Sequence, residues 1–547
     1  MVSVNLRKKI TYFFLRITRY RYLNVMQGYK KLQSDGQIHQ IESLKEALAT
    51  TPFFIDAKQG NQIFKKIPGF SYELAIRQFI MYHFGHRISL SNPYIGLTKA
   101  LLKSIGKENK RLVYPIPLHW QNILEDHGFG VNRLGSQFLW ILAVLFFWLY
   151  GVFYFFTILW ECFKIKKSFK VNDFSQSVFL KDLSVNDYLS YRNNPTNIIS
   201  KVINEDSTDC LILHDNKALK IHTSINSQFQ YTSLPLKKLP QANQIFLFFL
   251  KSCLLIITAL CKLTVGKWQE AILLRELILA DFFSRGTIDS LPNLFLFDHS
   301  KFVYRPLWTY IAEKKGAKPV LYFYSTNNES IWLQSDWKKR NLKWSLMNWP
   351  NYWVWNKEQY DFIKRVTPFP GDIKIVGPIL LGNNSQQKKI ELPQKSVTVF
   401  DVQPQRDFKY QILCEPMEYH IPEVTNQFLD DIFCIVKRNQ ATMVYKGKRN
   451  IGKMVHYKYR SKMNKLSLEK KFLVIDSNNS ADCVTAVSNC VISFPFTSAA
   501  LIGKLQGKPS VYYDPTGKID KLDPAAFGIP IISGPTELNM WLTKHLV

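Results

Sequence analysis

Residues 138–160, "FLWILAVLFFWLYGVFYFFTILW", carry no charged side chain. A helix of roughly 20 apolar residues can traverse a hydrocarbon core, so this run is long enough to do so, and its all-round apolarity separates it from an ordinary core helix. A second run, Gln244–Lys262, is interrupted by Lys251 at its middle, which fits immersion in the membrane plane as well as crossing. Near the start, Leu6, Ile10, Phe13, Phe14 and Ile17 share one helical face while Lys8, Lys9, Arg16 and Arg19 stand elsewhere, the pattern of a basic interfacial helix. Those arginines also break the apolar stretch that a secretory signal needs, so export is not expected. Arg133 precedes the long run and Lys164, Lys166, Lys167 and Lys170 follow it. A lone crossing would strand one basic flank on the wrong side, leaving two spans or a monotopic pair dipping into one leaflet, the latter preferred.

At 547 residues the chain exceeds one core, and two domains are expected. Residues 111–120 read as a strand closing on a Pro-rich loop, followed by a helix ending at Gly128. "NLFLFDHS" (293–300), "RPLWTYIAEKKG" and "KPVLYFYSTNNE" (318–329) then form a strand, a helix and a strand, a βαβ unit whose strands end in polar residues. "NYWVWNKEQYDFI" and "DIKIVGPIL" (372–380) continue the alternation. The polar segment 382–396 reads as a linker, dividing an N-terminal domain, 1–381, that carries membrane-associating segments 138–163 and 244–262, from a C-terminal domain, 397–547. Strands at 397–405, 441–449, 471–480, 490–493 and 508–515 make the second domain α/β as well. Such alternation indicates parallel sheets with ligands at the strand C-termini.

The formal charge of +29 favours an anionic partner. No nucleic-acid-binding motif accompanies it, and a nucleic-acid partner is not expected. The eight cysteines form no CxxC pair or Cys/His cluster, which argues against a zinc site or a disulfide framework. Glycine-rich GxGxxG and GxxxxGK[ST] loops are absent, disfavouring a dinucleotide oxidoreductase or a P-loop ATPase. No DxD element follows a strand, so no metal or other cofactor is expected.

The second domain's strand ends offer Gln403 and Arg406; Lys446, Lys448 and Arg449; Asp476; Ser493, Thr497 and Ser498; and Asp514. Phosphate is bound by hydroxyls, cations and the backbone N–H groups of a helix N-terminus, and this set supplies all three. Thr497 can cap the helix that follows Pro495. The plainer readings are an ordinary N-cap for the Thr-Ser pair and a solvated basic loop for "YKGKR". For a general base, Asp298 is preferred, with His299 beside it and His119 and Glu329 as further candidates.

The segment "SFPFTSAALIGKLQGKPSVYYDP", with "VTVFDVQP" and "YKGKR" upstream, resembles the bacterial polysaccharide-biosynthesis proteins named for their PFTS motif. More distantly, Thr497-Ser498 is similar to the Ser/Thr pair of sialyl- and Kdo-transferases, although "KGKR" stands where those enzymes carry His-Pro. The resemblance implies a GT-B-like fold, two Rossmann-like domains facing a cleft, with the apolar helices inserted in the first. It further implies a glycosyltransferase of capsule or O-antigen type, taking a nucleotide-sugar donor, CMP-activated acidic sugar ahead of UDP- or GDP-sugar. The acceptor would be a lipid-linked or other glycan, at the cytoplasmic face of the inner membrane. The alternative is a non-catalytic scaffold or export component on the same fold.

Overall fold

The computed structural model describes residues 43, 47, 64, 67, 70–82, 116–127, 130–165, 176–194, 196–206, 210–223, 228–237, 239–299, 304–326, 344, 346–380, 390–404, 421–452, 455–477 and 479–546. The basic N-terminal segment, Glu329 and Arg406 lie outside these residues, as do residues 111–115 and most of the expected linker.

Two parallel sheets organise the chain. The first contains β1 (Gln176–Leu180), β2 (Cys210–His214), β3 (Phe229–Tyr231), β4 (Leu294–Asp298), β5 (Lys318–Tyr322), β6 (Asn351–Val354) and β7 (Asp372–Ile375), in the order β3-β2-β1-β4-β5-β6-β7. The second contains β8 (Ser396–Phe400), β9 (Thr442–Lys446), β10 (Phe472–Ile475), β11 (Cys490–Ser493), β12 (Ser510–Asp514) and β13 (Ile531–Ser533), in the order β10-β9-β8-β11-β12-β13. Both are doubly wound orders that reverse direction once, between β1 and β4 and between β8 and β11. A crevice opens at each reversal, outside the strand C-termini.

The sequence reading recovers β4 through β12 and misses β1–β3 and β13. The missed strands in the first sheet lie between the two apolar runs, which drew the reading to membrane contact over that part of the chain. Residues 116–126 also differ from expectation. Pro117 is the N-cap of a helix that already begins at Leu118, because its fixed φ suits a helix start.

The apolar runs form the Arg133–Ile165 and Ala242–Thr264 helices, both long and apolar enough to cross a membrane by length and composition. Their apolarity is not equivalent on all sides. In the first, Trp140, Val144, Phe147, Gly151, Phe155 and Ile158 are buried at helical spacing. Phe138, Leu142, Phe146, Leu149, Phe153 and Phe156 are exposed on the opposite face. The inner faces cover the Leu274–Arg285 helix, whose other side packs on the first sheet, so these helices add an outer layer to the domain. At the closest approach, a Cβ on Gly151 would lie 2.8 Å from Cβ of Leu274. Polar groups in both runs turn toward the protein. Lys251 Nζ lies 3.0 Å from the Asp281 carboxylate, Ser233 Oγ donates to Glu161 at 2.6 Å, and Trp148 Nε1 donates to the Ile256 carbonyl at 3.1 Å.

Candidate functional site

β8 and β11 pair through Phe400 and Ser493, and one further bond, from Phe494 N–H to the Phe400 carbonyl at 2.7 Å, carries the ladder to the crevice. There the chain turns through Pro495, Phe496 and Thr497 into the Ser498–Leu505 helix. Phe496 takes a left-handed φ of +61°, uncommon for a bulky residue. The turn is held by Phe494 edge-on to Phe428 at 5.2 Å, Phe496 edge-on to Tyr512 at 5.7 Å, and the Tyr512 hydroxyl donating to the Thr497 carbonyl at 3.0 Å. Strain fixed by surrounding packing recurs at functional sites.

Thr497 occupies the N-cap position, yet its hydroxyl caps nothing. Its Oγ1 is buried without a hydrogen-bond partner, and so is Oγ of the fully buried Ser493. Ser493 shares a strand face with Val491, which packs on Ala499 in the first turn of the helix. Two idle hydroxyls therefore flank the turn that leads into this helix. Leaving a buried hydroxyl unpaired costs about 1–3 kcal/mol, a cost a bound acceptor removes.

Ser498 is engaged elsewhere. Its Oγ accepts from the Thr326 backbone N–H at 3.1 Å and lies 3.2 Å from the Thr326 hydroxyl. Thr326 follows β5, so the C-terminal edges of the two sheets face each other across this contact, the two-domain cleft expected of a GT-B-like fold. Leu501 and Ile502 of the same helix belong to the first domain's apolar core.

The other expected residues separate into distinct environments. Lys446 is buried at the end of β9, where desolvation pushes its ammonium pKa down while Asp482 pulls it up. Asp476, exposed beyond β10, adds a weaker pull in the same direction. Lys448 and Arg449 are exposed. Gln403 braces their loop, donating to the Arg449 carbonyl at 2.7 Å, and a Cβ on Gly447 would come within 2.9 Å of its amide. Asp514 does not face the crevice as a ligand: its carboxylate accepts from Thr516 N–H at 2.8 Å, Thr516 Oγ1 at 2.7 Å and Ile519 N–H at 2.9 Å. It orders the loop after β12.

Across the cleft, Asp298 ends β4 in register with Tyr322. Burial first, then Asp298 and Asp187, push the Tyr322 phenol well above its ordinary value. His299 is less suited to accept a proton. Its Nδ1 accepts from Tyr324 N–H at 3.3 Å, which leaves Nε2 carrying the proton toward Ser325 Oγ at 3.3 Å. The ring stacks on Phe323 at 4.7 Å and orients the 323–326 segment. His119 sits on the Leu118–Asp126 helix, where desolvation and Arg77 lower its pKa, and it ends no strand.

One group escaped the sequence reading. Asp401, directly after β8, accepts from the Tyr445 hydroxyl at 2.9 Å and from Tyr459. Its signal was present: an acid ending the first strand of a doubly wound sheet stands at the switch point.

A two-sheet, doubly wound α/β protein whose second switch point opens onto a helix start is the class this geometry defines. The chain belongs to the polysaccharide biosynthesis PFTS motif protein family, whose profile matches residues 248–542. No curated protein matches it. Among solved structures it is similar to UDP-GlcNAc 2-epimerase from Methanocaldococcus jannaschii, at 9% identity and a TM-score of 0.37 over 68% of this chain and 92% of that one. It is also similar to Arabidopsis thaliana UGT89C1 complexed with UDP-L-rhamnose, at 12% identity and a TM-score of 0.38 over 68% and 89%. The S. aureus MnaA–UDP structure matches at 8% identity and a TM-score of 0.36 over 68% and 87%. The fold assignment itself rests on the sheet orders and the facing strand edges.

Proposed function

We propose that this chain is a glycosyltransferase of bacterial surface polysaccharide that works without a metal and binds the nucleotide of its donor at the PFTS turn. The observation that carries the reading is the pair of idle hydroxyls, Ser493 Oγ and Thr497 Oγ1, at the start of the Ser498–Leu505 helix. Helix N–H groups and hydroxyls together suit a phosphate, and Lys446 adds a cation from the end of β9, across β8 from the turn.

Asp298 lies on the opposing edge and serves as the base. It takes the proton of the acceptor hydroxyl as that oxygen bonds to the anomeric carbon, while the carbon–oxygen bond to the phosphate breaks and the phosphate departs as an anion. Acid on one edge and cations on the other match the two charges this step develops. Lys446 is the buried cation of the expected set, one charge that suits the single phosphate of a CMP-activated acidic sugar better than a diphosphate.

The protein works on the membrane. The two apolar helices lie in the bilayer plane as a monotopic anchor at the cytoplasmic leaflet, outer faces in lipid and inner faces on the domain, beside a lipid-linked glycan acceptor. The test is a thermal-shift screen of the full chain against CMP, UDP, GDP and their sugars. A rise with one nucleotide and its sugar supports the reading. No rise with any of them favours a non-catalytic scaffold.

A further inference from the structure

The second domain carries a groove outside the cleft, of about 600 Å³, lined by Ile451, Tyr457, Arg460, Ser461, Asn464 and Lys465, with Leu468 at its end. It runs along the outward face of the Tyr457–Leu466 helix, from the loop after β9 toward the turn before β10. Tyr457 to Leu468 spans about 16 Å at helical rise, the scale of a short linear oligomer.

The charges along this helix divide. Lys458 and Lys462 are neutralised by Glu423 and Asp430, at 2.6 and 2.7 Å. Among the described residues, Arg460 and Lys465, which line the groove, pair with no carboxylate, and Arg460 Nε is buried without a hydrogen-bond partner. The Arg460 guanidinium lines the groove, and its planar fork fits a carboxylate or phosphate. Tyr457 stands exposed at one end, stacked on His456 at 4.6 Å, and offers a flat aromatic face. Ser461 and Asn464 contribute hydroxyl and carboxamide groups between the aromatic ring and Leu468.

We propose that this groove binds an anionic glycan. Aromatic face, hydroxyl and amide hydrogen-bonding groups, and an unpaired guanidinium in one concave strip are the chemistry of a saccharide bearing carboxylates or phosphates. The groove is concave and only about 16 Å long, which fits a short chain better than a flat bilayer face. Membership of a polysaccharide biosynthesis family supplies the occupant's class, and the inference does not rest on the nucleotide site. The groove holds the acidic chain beside the cleft, retaining it between additions.

The full chain in non-ionic detergent is titrated with oligogalacturonate, oligosialate and neutral maltotetraose, and in parallel with phosphatidylglycerol vesicles. Wild type binds at least one acidic oligosaccharide about tenfold more tightly than the neutral one. Arg460→Gln and Tyr457→Ala each weaken that binding about tenfold, while Arg460→Lys, which keeps charge but loses the fork, falls between. All three variants melt as wild type does. Failure of both acidic oligosaccharides to bind, or equal binding by Arg460→Gln, overturns the proposal. Loss of vesicle binding alone in Arg460→Gln also overturns it and assigns the groove to lipid headgroups.

Discussion

Thr326, at the end of a strand in the first sheet, donates its backbone N–H to Ser498 Oγ, on the helix that opens the second sheet's crevice. The contact ties the proposed nucleotide site to the first domain through one side chain. A Thr326→Val, Ser498→Ala double-mutant cycle is expected to show a coupling of about 0.5–1.5 kcal/mol in urea unfolding. Additive effects would mean that the two hydroxyls contribute independently.

Ser493→Ala and Thr497→Ala remove hydroxyls that bond to nothing in the free protein. Each variant is expected to hold or gain stability, by up to ~1 kcal/mol, because a buried unpaired group disappears. Each also loses roughly tenfold in nucleotide affinity by calorimetry. Falling stability with unchanged affinity would identify plain structural residues.

Burial pushes the Asp401 carboxyl up to about 6 from its ordinary 3.8, against the lowering effect of the Tyr459 and Tyr445 hydrogen bonds. Since the folded-state value is raised, the folded protein holds this proton where the unfolded chain has released it. The contribution to stability is complete below about pH 4 and is lost as pH rises through about 6, an effect on the order of 3 kcal/mol. Asp401→Asn should flatten that part of the stability–pH curve between pH 4 and 7, measured by chemical denaturation.

Gly151 lets the Arg133–Ile165 helix touch the Leu274–Arg285 helix. Gly151→Val should force the pair apart and cost about 1–3 kcal/mol in thermal unfolding. An unchanged melting curve would mean that the layers separate freely.

Phe146→Ser, Phe153→Ser and Phe156→Ser together strip the outer stripe while sparing the inner one. Vesicle flotation should fall by at least tenfold, since each ring carries well over 1 kcal/mol of transfer energy. The detergent-solubilised melting temperature should hold. Retained flotation would move the anchor to another part of the chain.

The second domain was largely legible in the sequence because its strands are short apolar runs that stop at chemically distinct residues. Lys446, Ser493 and Asp514 each mark such a stop. Their roles were less legible. Asp514 and Ser498 look like ligands in sequence, and only the fold reveals that one bonds a loop and the other Thr326. Similarly, nothing in "LFDHS" shows that a backbone N–H from the next strand's loop takes the lone pair of His299. The long apolar run read as uniform because composition does not record which of two opposite stripes meets protein.

The Ser498–Leu505 helix begins in the second domain's crevice and buries Leu501 and Ile502 in the first domain's core. An alanine scan from Ser493 to Ile502 would therefore give loss of function for two unrelated reasons within ten residues. Defects at Leu501 or Ile502 report on how the halves are joined and could be repaired by changes in the first domain. If Ser493 and Thr497 hold the nucleotide as proposed, their defects have no such suppressors, and that difference separates joining the halves from gripping a ligand.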